Sequence, residues 1–212
     1  MLRLALTKGR LEKKMLEILS DIGLDVSELY SGSRKLIYTI QGENLELMLA
    51  KAADVVTYVE LGACDMGVVG KDTIMEHGSS FYEMTDLGFG KCRFALAVKQ
   101  GEDFYGTYKT RRIATKYPNV AKKYFAKKGI DVDIIKIEGS VELAPIIGIA
   151  DGIVDIVETG NTLRENGLTP IESICDISAR LIVNIAAMKL KKKEISDFLA
   201  RVEAATAGDK KC

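Results

Sequence analysis

The chain has 212 residues, 30 basic against 30 acidic side chains and 47% hydrophobic residues, which describes a soluble globular protein with enough apolar material for a real core. Balanced charge leaves no clustered basic footprint for nucleic acid or an anionic membrane, and no run approaches the roughly 20 apolar residues of a membrane helix. One histidine (His77) and four scattered cysteines (Cys64, Cys92, Cys175 and Cys212) exclude a three-histidine metal centre and form no zinc pattern or disulfide framework.

The cysteines are therefore expected reduced and mostly buried. The N-terminus runs straight into strand-like sequence without a signal peptide, which predicts a cytoplasmic protein.

Apolar runs alternate with helical patterns from the first residue. Strand Leu2 to Leu6 leads through Thr7-Lys8-Gly9-Arg10 into a helix whose Leu11, Met15, Ile18, Leu19 and Ile22 recur at helical spacing until Gly23. Leu45 to Leu49 and Met66 to Val69 read as strands, Val55 to Leu61 and Thr73 to His77 as helices ended by Gly62 and Gly78. His77 then sits near a helix end, where the dipole favours it. Ile113 to Thr115 is a strand, Pro118 opens a helix to Lys128, and Val132 to Ile137 and Ile153 to Val157 are further strands. Lys191-Lys192-Lys193 opens an amphipathic C-terminal helix as a solvated face. This grammar predicts an α/β protein with largely parallel sheets.

The later half echoes the earlier one. Gly62-x-x-Asp65 with Thr73-Ile74-x-Glu76-x-Gly78 matches Gly152-x-x-Asp155 with Thr162-Leu163-x-Glu165-x-Gly167, allowing one residue of slippage, and Leu4-Ala5-Leu6-Thr7-Lys8 loosely matches Ile113-Ala114-Thr115-Lys116. The echo predicts two similar α/β lobes with the chain crossing twice: residues 1–90 plus 179–212 as one lobe, and 91–178 as the other. Ligand is expected in a cleft between them, at strand C-terminal ends.

The densest chemistry lies in Asp151 to Gly167, DGIVDIVETGNTLRENG. A buried strand delivers Glu158-Thr159-Gly160-Asn161-Thr162 to a helix start, where unpaired amides, a close-approach glycine and three polar side chains suit a phosphate. Carboxylates before such a turn would repel a bare phosphate but accept ribose hydroxyls. Asp155 and Glu158 are the favoured pair, with Asp151 as the alternative. The same spacing also fits a capped helix after a buried strand.

Cys64 to Asp72 is a second glycine-rich strand end, lacking Walker and GxGxxG patterns. Its Gly67 and Gly70 suit either a nucleotide surface or close packing. Thr7 to Arg10 reads as a small anion grip or a surface turn, with Arg34 and Lys51 adding cations to the same lobe.

Taken together, LTKGR at Leu6 to Arg10, YVELGACDMGVVGKD at Tyr58 to Asp72, LGFGKCR at Leu87 to Arg93, ATKYPN at Ala114 to Asn119, GSVELAP at Gly139 to Pro145 and DGIVDIVETGNTLRENGL at Asp151 to Leu168 resemble the ATP phosphoribosyltransferase family, in its short form. The resemblance implies a fold like type II periplasmic binding proteins and transfer of the 5-phosphoribosyl group from phosphoribosyl pyrophosphate to adenine N1 of ATP. Magnesium would accompany the pyrophosphate, with no protein side chain assigned to the metal.

It further implies that Glu158, Thr159, Gly160, Asn161 and Thr162 hold the 5-phosphate and Asp155 the ribose. Lys8, Arg10, Arg34 and Lys51 would serve pyrophosphate or the ATP phosphates, and Asp65, Gly67 and Arg93 the nucleotide. The family often carries arginine where Lys51 stands, and lysine does not reproduce a bidentate fork. It also commonly reads DIP where this chain has Asp54-Val55-Val56. Short forms work with a regulatory subunit resembling histidyl-tRNA synthetase, so a homo- or hetero-oligomer is expected. A non-catalytic two-lobed ligand-binding module, or a phosphoribosyltransferase with another base acceptor, are the rival readings.

Overall fold

The computed structural model describes residues 1–31, 34–78, 80–106 and 109–208; Cys212 lies outside them. The chain divides into two compact units, residues 1–90 with 178 onward, and Lys91–Ile177.

The first unit opens with β1 (Leu2–Thr7) and α1 (Arg10–Asp21), then β2 (Ile37–Ile40), β3 (Leu45–Ala50), α2 (Ala52–Glu60), β4 (Met66–Gly70), α3 (Lys71–His77) and β5 (Phe81–Asp86). The second unit comprises β6 (Cys92–Lys99), β7 (Arg111–Thr115), α4 (Pro118–Lys127), β8 (Val132–Lys136), a short α5 (Leu143–Ile146), β9 (Gly152–Val157), α6 (Asn161–Glu165) and β10 (Leu168–Ile177). The chain then returns to the first unit as β11 (Ala179–Asn184), α7 (Ile185–Leu190) and α8 (Lys192–Gly208).

The helices form where apolar spacing and their ends allow. In α1, Met15, Leu16, Ile18 and Leu19 are buried, and Glu12 reaches back to accept from the Gly9 amide at 3.0 Å, satisfying a donor that the helix itself leaves unpaired. Gly9 has φ 103°, a conformation that strongly favours glycine. Pro118 opens α4 at a position where its missing N–H costs nothing.

The sheets repeat one plan. The order is β2-β3-β1-β4-β11-β5 in the first unit and β10-β6-β9-β7-β8 in the second. In the first, β1 lies parallel between β3 and β4, and β11 runs antiparallel between β4 and β5. In the second, β7 lies parallel between β8 and β9, and β6 runs antiparallel between β9 and β10. β6 and β11 each come from the segment that has just crossed from the other unit, while β2 is an additional edge strand antiparallel to β3. The expectation of largely parallel sheets is corrected to this extent: both are mixed, and the alternating pattern of earlier strands carried no sign of β6, β10 or β11.

The equivalence reaches single side chains. Thr7 Oγ1 donates to Val68 O at 2.8 Å, and Thr115 Oγ1 to Val154 O at 2.6 Å. The Arg3 amide donates to Asp65 Oδ2, and the Arg112 amide to Asp151 Oδ2, each at 2.8 Å. The structural partner of Asp65 is thus Asp151, not Asp155 as the motif spacing suggested.

Cys64 is fully buried, and burial pushes its thiol up to about 11, while Cys92 and Cys175 are half-buried and form no disulfide. Lys192 and Lys193 are exposed as expected. Lys191 is not simply solvated: its ammonium bonds both Asp65 carboxylate oxygens at 2.9 Å and Met1 O at 3.0 Å. No helix among the described residues is long and apolar enough to cross a membrane.

Candidate active site

In open α/β sheets, ligands gather where parallel strands end, because loops and helix starts there leave amide donors unpaired. In the second unit that edge carries three of the sequence motifs at once. Thr115 ends β7 and Lys116 follows it, Glu138–Val141 follows β8, and Glu158–Gly160 follows β9, with β7 pairing to both neighbours. Val141 and Ala144 are buried in one apolar cluster with Ile153, Val157 and Leu163, so the segment after β8 and the segment after β9 share one face of the sheet.

The turn after β9 is the most polar part of this edge. Glu158, Thr159, Asn161 and Thr162 are exposed and Gly160 is half-buried. Gly160 has φ 76°, ψ 7° and stands immediately before α6. This left-handed residue reverses the chain between strand and helix, a geometry natural to glycine. The Asn161 amide donates to Thr159 Oγ1 at 3.4 Å. Leu163, buried beneath, anchors the helix to the sheet.

Strand alternation places Asp155 on the same face as Ile153 and Val157. Across the antiparallel pairing, Ala95 is opposite Asp155 and Arg93 opposite Val157, so Arg93 lies diagonal to Asp155 on that face. On its other side Arg93 is opposite Asp176. Arg93, expected on the nucleotide side, therefore stands in the second unit, on the same sheet face as Asp155 and opposite the last residue of β9 before the turn.

Asp151 lies at the other end of β9, about 20 Å away at roughly 3.3 Å per strand residue. It accepts from the Arg112 amide and from Lys109 Nζ at 2.8 Å, with Arg111 Nη1 at 3.9 Å. Burial would raise its carboxyl, but these donors and cations hold it below the usual range. Asp151, the alternative ribose contact, here ties two strand starts together.

The first unit assembles its cations at the equivalent edge. Lys8 and Arg10 follow β1, and the Lys8 amide donates to Ala50 O at 2.9 Å. Lys51 follows β3 as the residue before α2. Arg34 precedes β2, whose antiparallel register with β3 (Ile37 opposite Met48) carries it to the level of Lys51. All four are exposed, and the sheet brings them to one edge.

Asp65 and Gly67 do not join them. Asp65 is buried at the start of β4, held by the Arg3 amide and Lys191, about 17 Å from the strand's C-terminal end. Gly67 faces α2, where an added Cβ would meet Val55 Cγ1 at 2.7 Å and Val59 Cγ2 at 2.9 Å. Its missing side chain lets helix and strand approach closely. Both residues, expected at the nucleotide, have structural roles in the first unit.

Two residues at the second-unit edge escaped sequence reasoning. Lys116 is the counterpart of Lys8, one residue after the equivalent threonine; its ammonium stands 6.0 Å from the Tyr117 ring centroid. The repeat Thr7-Lys8 against Thr115-Lys116 was the signal that could have flagged it. Arg164 folds back over the turn, donating to Asn161 Oδ1. Nothing in helical spacing announces that. Among the described residues no group of three or more His, Cys, Asp or Glu side chains is placed to hold a metal ion.

Comparison with known proteins gives this arrangement a family. The family model described as HisG: ATP phosphoribosyltransferase matches residues 51–204. An ATP phosphoribosyltransferase of Clostridium kluyveri is 56% identical over 202 residues, covering 95% of this chain and 92% of the relative. One from Clostridium novyi is 58% identical over 202 residues, covering 94% and 95%. The solved ATP phosphoribosyl transferase (HisG:HisZ) complex from Thermotoga maritima contains a chain that superposes with a TM-score of 0.85 at 34% identity, covering 98% of this chain and 100% of that one. The periplasmic aliphatic sulphonate binding protein SsuA from Escherichia coli matches in fold, with a TM-score of 0.62 at 11% identity, over 97% of this chain and 72% of that chain. The fold is thus of the type II periplasmic-binding-protein kind, and the chain belongs to the ATP phosphoribosyltransferase family.

Proposed function

We propose that this chain is the catalytic subunit of a cytoplasmic ATP phosphoribosyltransferase, the enzyme of the first step of histidine biosynthesis, and that Glu158 to Thr162 with Asp155 hold phosphoribosyl pyrophosphate. The observation that supports this reading is the convergence of the segments after β7, β8 and β9 on one sheet edge in a chain matched along nearly its whole length by ATP phosphoribosyltransferases.

In the proposed reaction, adenine N1 of ATP forms a bond to the ribose anomeric carbon as the bond from that carbon to pyrophosphate breaks. The ring nitrogen is already a nucleophile, so positioning and charge stabilisation carry the rate. The turn at Gly160 supplies donors to the 5-phosphate, with Thr159, Asn161 and Thr162 around it. Asp155 or Glu158 accepts the ribose hydroxyls, and their negative charge favours the positive character that builds on the ribose as pyrophosphate departs. Lys8, Arg10, Arg34 and Lys51 neutralise pyrophosphate or the ATP triphosphate, and Arg93, diagonal to Asp155, is reassigned to the phosphoribosyl ligand. The oxygen donors at this edge, Asp155 and Glu158, suit a hard dication carried in on the substrate. Magnesium would supply charge neutralisation of the leaving group.

A regulatory subunit of the HisZ kind, resembling histidyl-tRNA synthetase, is the proposed partner, because the superposed Thermotoga chain is from a HisG:HisZ complex. The test mixes purified protein with magnesium, ATP and phosphoribosyl pyrophosphate, with and without that subunit. Phosphoribosyl-ATP and pyrophosphate are expected in equal amounts; no product with the subunit present would overturn the proposal.

A further inference from the structure

Arg164 occupies an unusual place for a residue of α6. Its side chain turns back toward the helix start: Nη2 donates to Asn161 Oδ1, and a Cβ placed on Gly160 would lie 3.9 Å from Nη1. The guanidinium thus covers the turn proposed to receive the phosphate, while the helix continues to Glu165 beyond it.

The chemistry of the contact fixes a direction. A side-chain amide has one acceptor end and one donor end, and only the donor end suits an anion. Arginine has five N–H donors and no acceptor, so it can hold Asn161 only by the oxygen. The Asn161 Nδ2 is then turned away from Arg164, and among the described residues no other group takes up its hydrogens. Without that restraint an exposed asparagine rotates freely and meets a phosphate with its oxygen as readily as with its nitrogen. Ordering it in advance lowers the entropy lost when ligand binds. Arg164 also brings positive charge to a turn flanked by Glu158.

We propose that Arg164 is a positioning residue that fixes the Asn161 amide with its NH2 group presented to the 5-phosphate of phosphoribosyl pyrophosphate. This rests on the function proposed above and adds a residue to which that reading assigned no role.

Steady-state kinetics on Arg164→Ala, Arg164→Lys, Asn161→Ala and the Asn161→Ala/Arg164→Ala double variant test it, in the presence of the regulatory subunit. Arg164→Ala should raise KM for phosphoribosyl pyrophosphate about 5- to 10-fold, the scale of one lost hydrogen bond, with kcat and KM for ATP within about twofold of wild type. Lysine, also a pure donor, should recover most of that loss. Because Arg164 acts through Asn161, the double variant should be no weaker than Asn161→Ala alone. A generalised packing defect would instead move kcat, both KM values and thermal stability together. Additive losses, or an unchanged KM in Arg164→Ala, would overturn the inference and leave the enzyme assignment intact. Failure of wild type to turn over would remove both.

Discussion

The junctions β4–α3 and β9–α6 are equivalent in the two sheets and differ where it matters. Both strands start from an aspartate, Asp65 or Asp151, that accepts a main-chain amide from the neighbouring strand and a lysine ammonium. Both lead to a short helix followed by a glycine of positive φ, Gly78 or Gly167. But β4 passes into α3 directly at Gly70–Lys71, whereas Glu158, Thr159 and Gly160 intervene between β9 and α6. The shared end is scaffold, and the inserted residues form the proposed cradle. A carboxylate near a glycine-rich strand end therefore has no fixed meaning: Asp65 and Asp151 hold strands, while Asp155 lies further along β9, toward the turn.

The largest expected effect separates these roles. Thr162→Ala and Asp155→Ala should each lower kcat/KM for phosphoribosyl pyrophosphate on the order of 10- to 100-fold, the cost of losing hydrogen bonds to a charged or developing-charge ligand, with melting temperature little changed. Asp65→Ala should do the reverse. Removing it leaves Lys191 and the Arg3 amide without their acceptor, destabilising the fold by about 2 kcal/mol, seen in denaturant unfolding, with KM values unchanged in the folded fraction.

Gly67→Ala sharpens the same contrast. Its added methyl would press on Val55 and Val59 at 2.7 and 2.9 Å, an overpacking that costs about 1–3 kcal/mol; an intact KM for ATP would separate packing from nucleotide contact.

The smallest effect concerns a polar tie within the second unit. Glu172 on β10 accepts from Lys128, Tyr124 and Tyr105. Burial works to raise its carboxyl, but those donors prevail and hold it at about 2. A depressed folded-state value means the stabilisation is complete above the unfolded carboxyl range near 4.5 and is lost as pH falls toward 2. Glu172→Gln should thus lower stability by about 1 kcal/mol at pH 7, and the gap should close on acidification below pH 4.5, measured by urea unfolding across pH.

Much of this was legible in the sequence because helix starts and stops are local. Gly23, Gly62, Gly78, Gly129 and Pro118 mark helix boundaries whose chemistry does not depend on the rest of the fold. The strand, turn and helix of the proposed cradle were equally legible, since they are consecutive. The antiparallel strands were not. β11 joins a sheet built by residues 1–90, and β6 pairs with β9 and β10 from the far end of its own unit, so the partners of both lie far away in sequence. The repeat was read correctly at Thr7-Lys8 and Thr115-Lys116, but Asp65 was matched to Asp155, because the added turn residues alter the spacing and apolar strand residues do not record register. Asp65 and Asp151 looked functional because burial and main-chain partners, which decide their role, are tertiary facts. Arg164 was invisible for a related reason: its fold back onto Asn161 is a side-chain conformation, not a pattern.

The most direct measurement is calorimetric binding of phosphoribosyl pyrophosphate with magnesium to wild type, Thr162→Ala and Asp65→Ala, each checked for folding. The account predicts affinity weakened about tenfold or more in Thr162→Ala and unchanged in Asp65→Ala. Wild-type affinity in Thr162→Ala with binding lost in folded Asp65→Ala would contradict it.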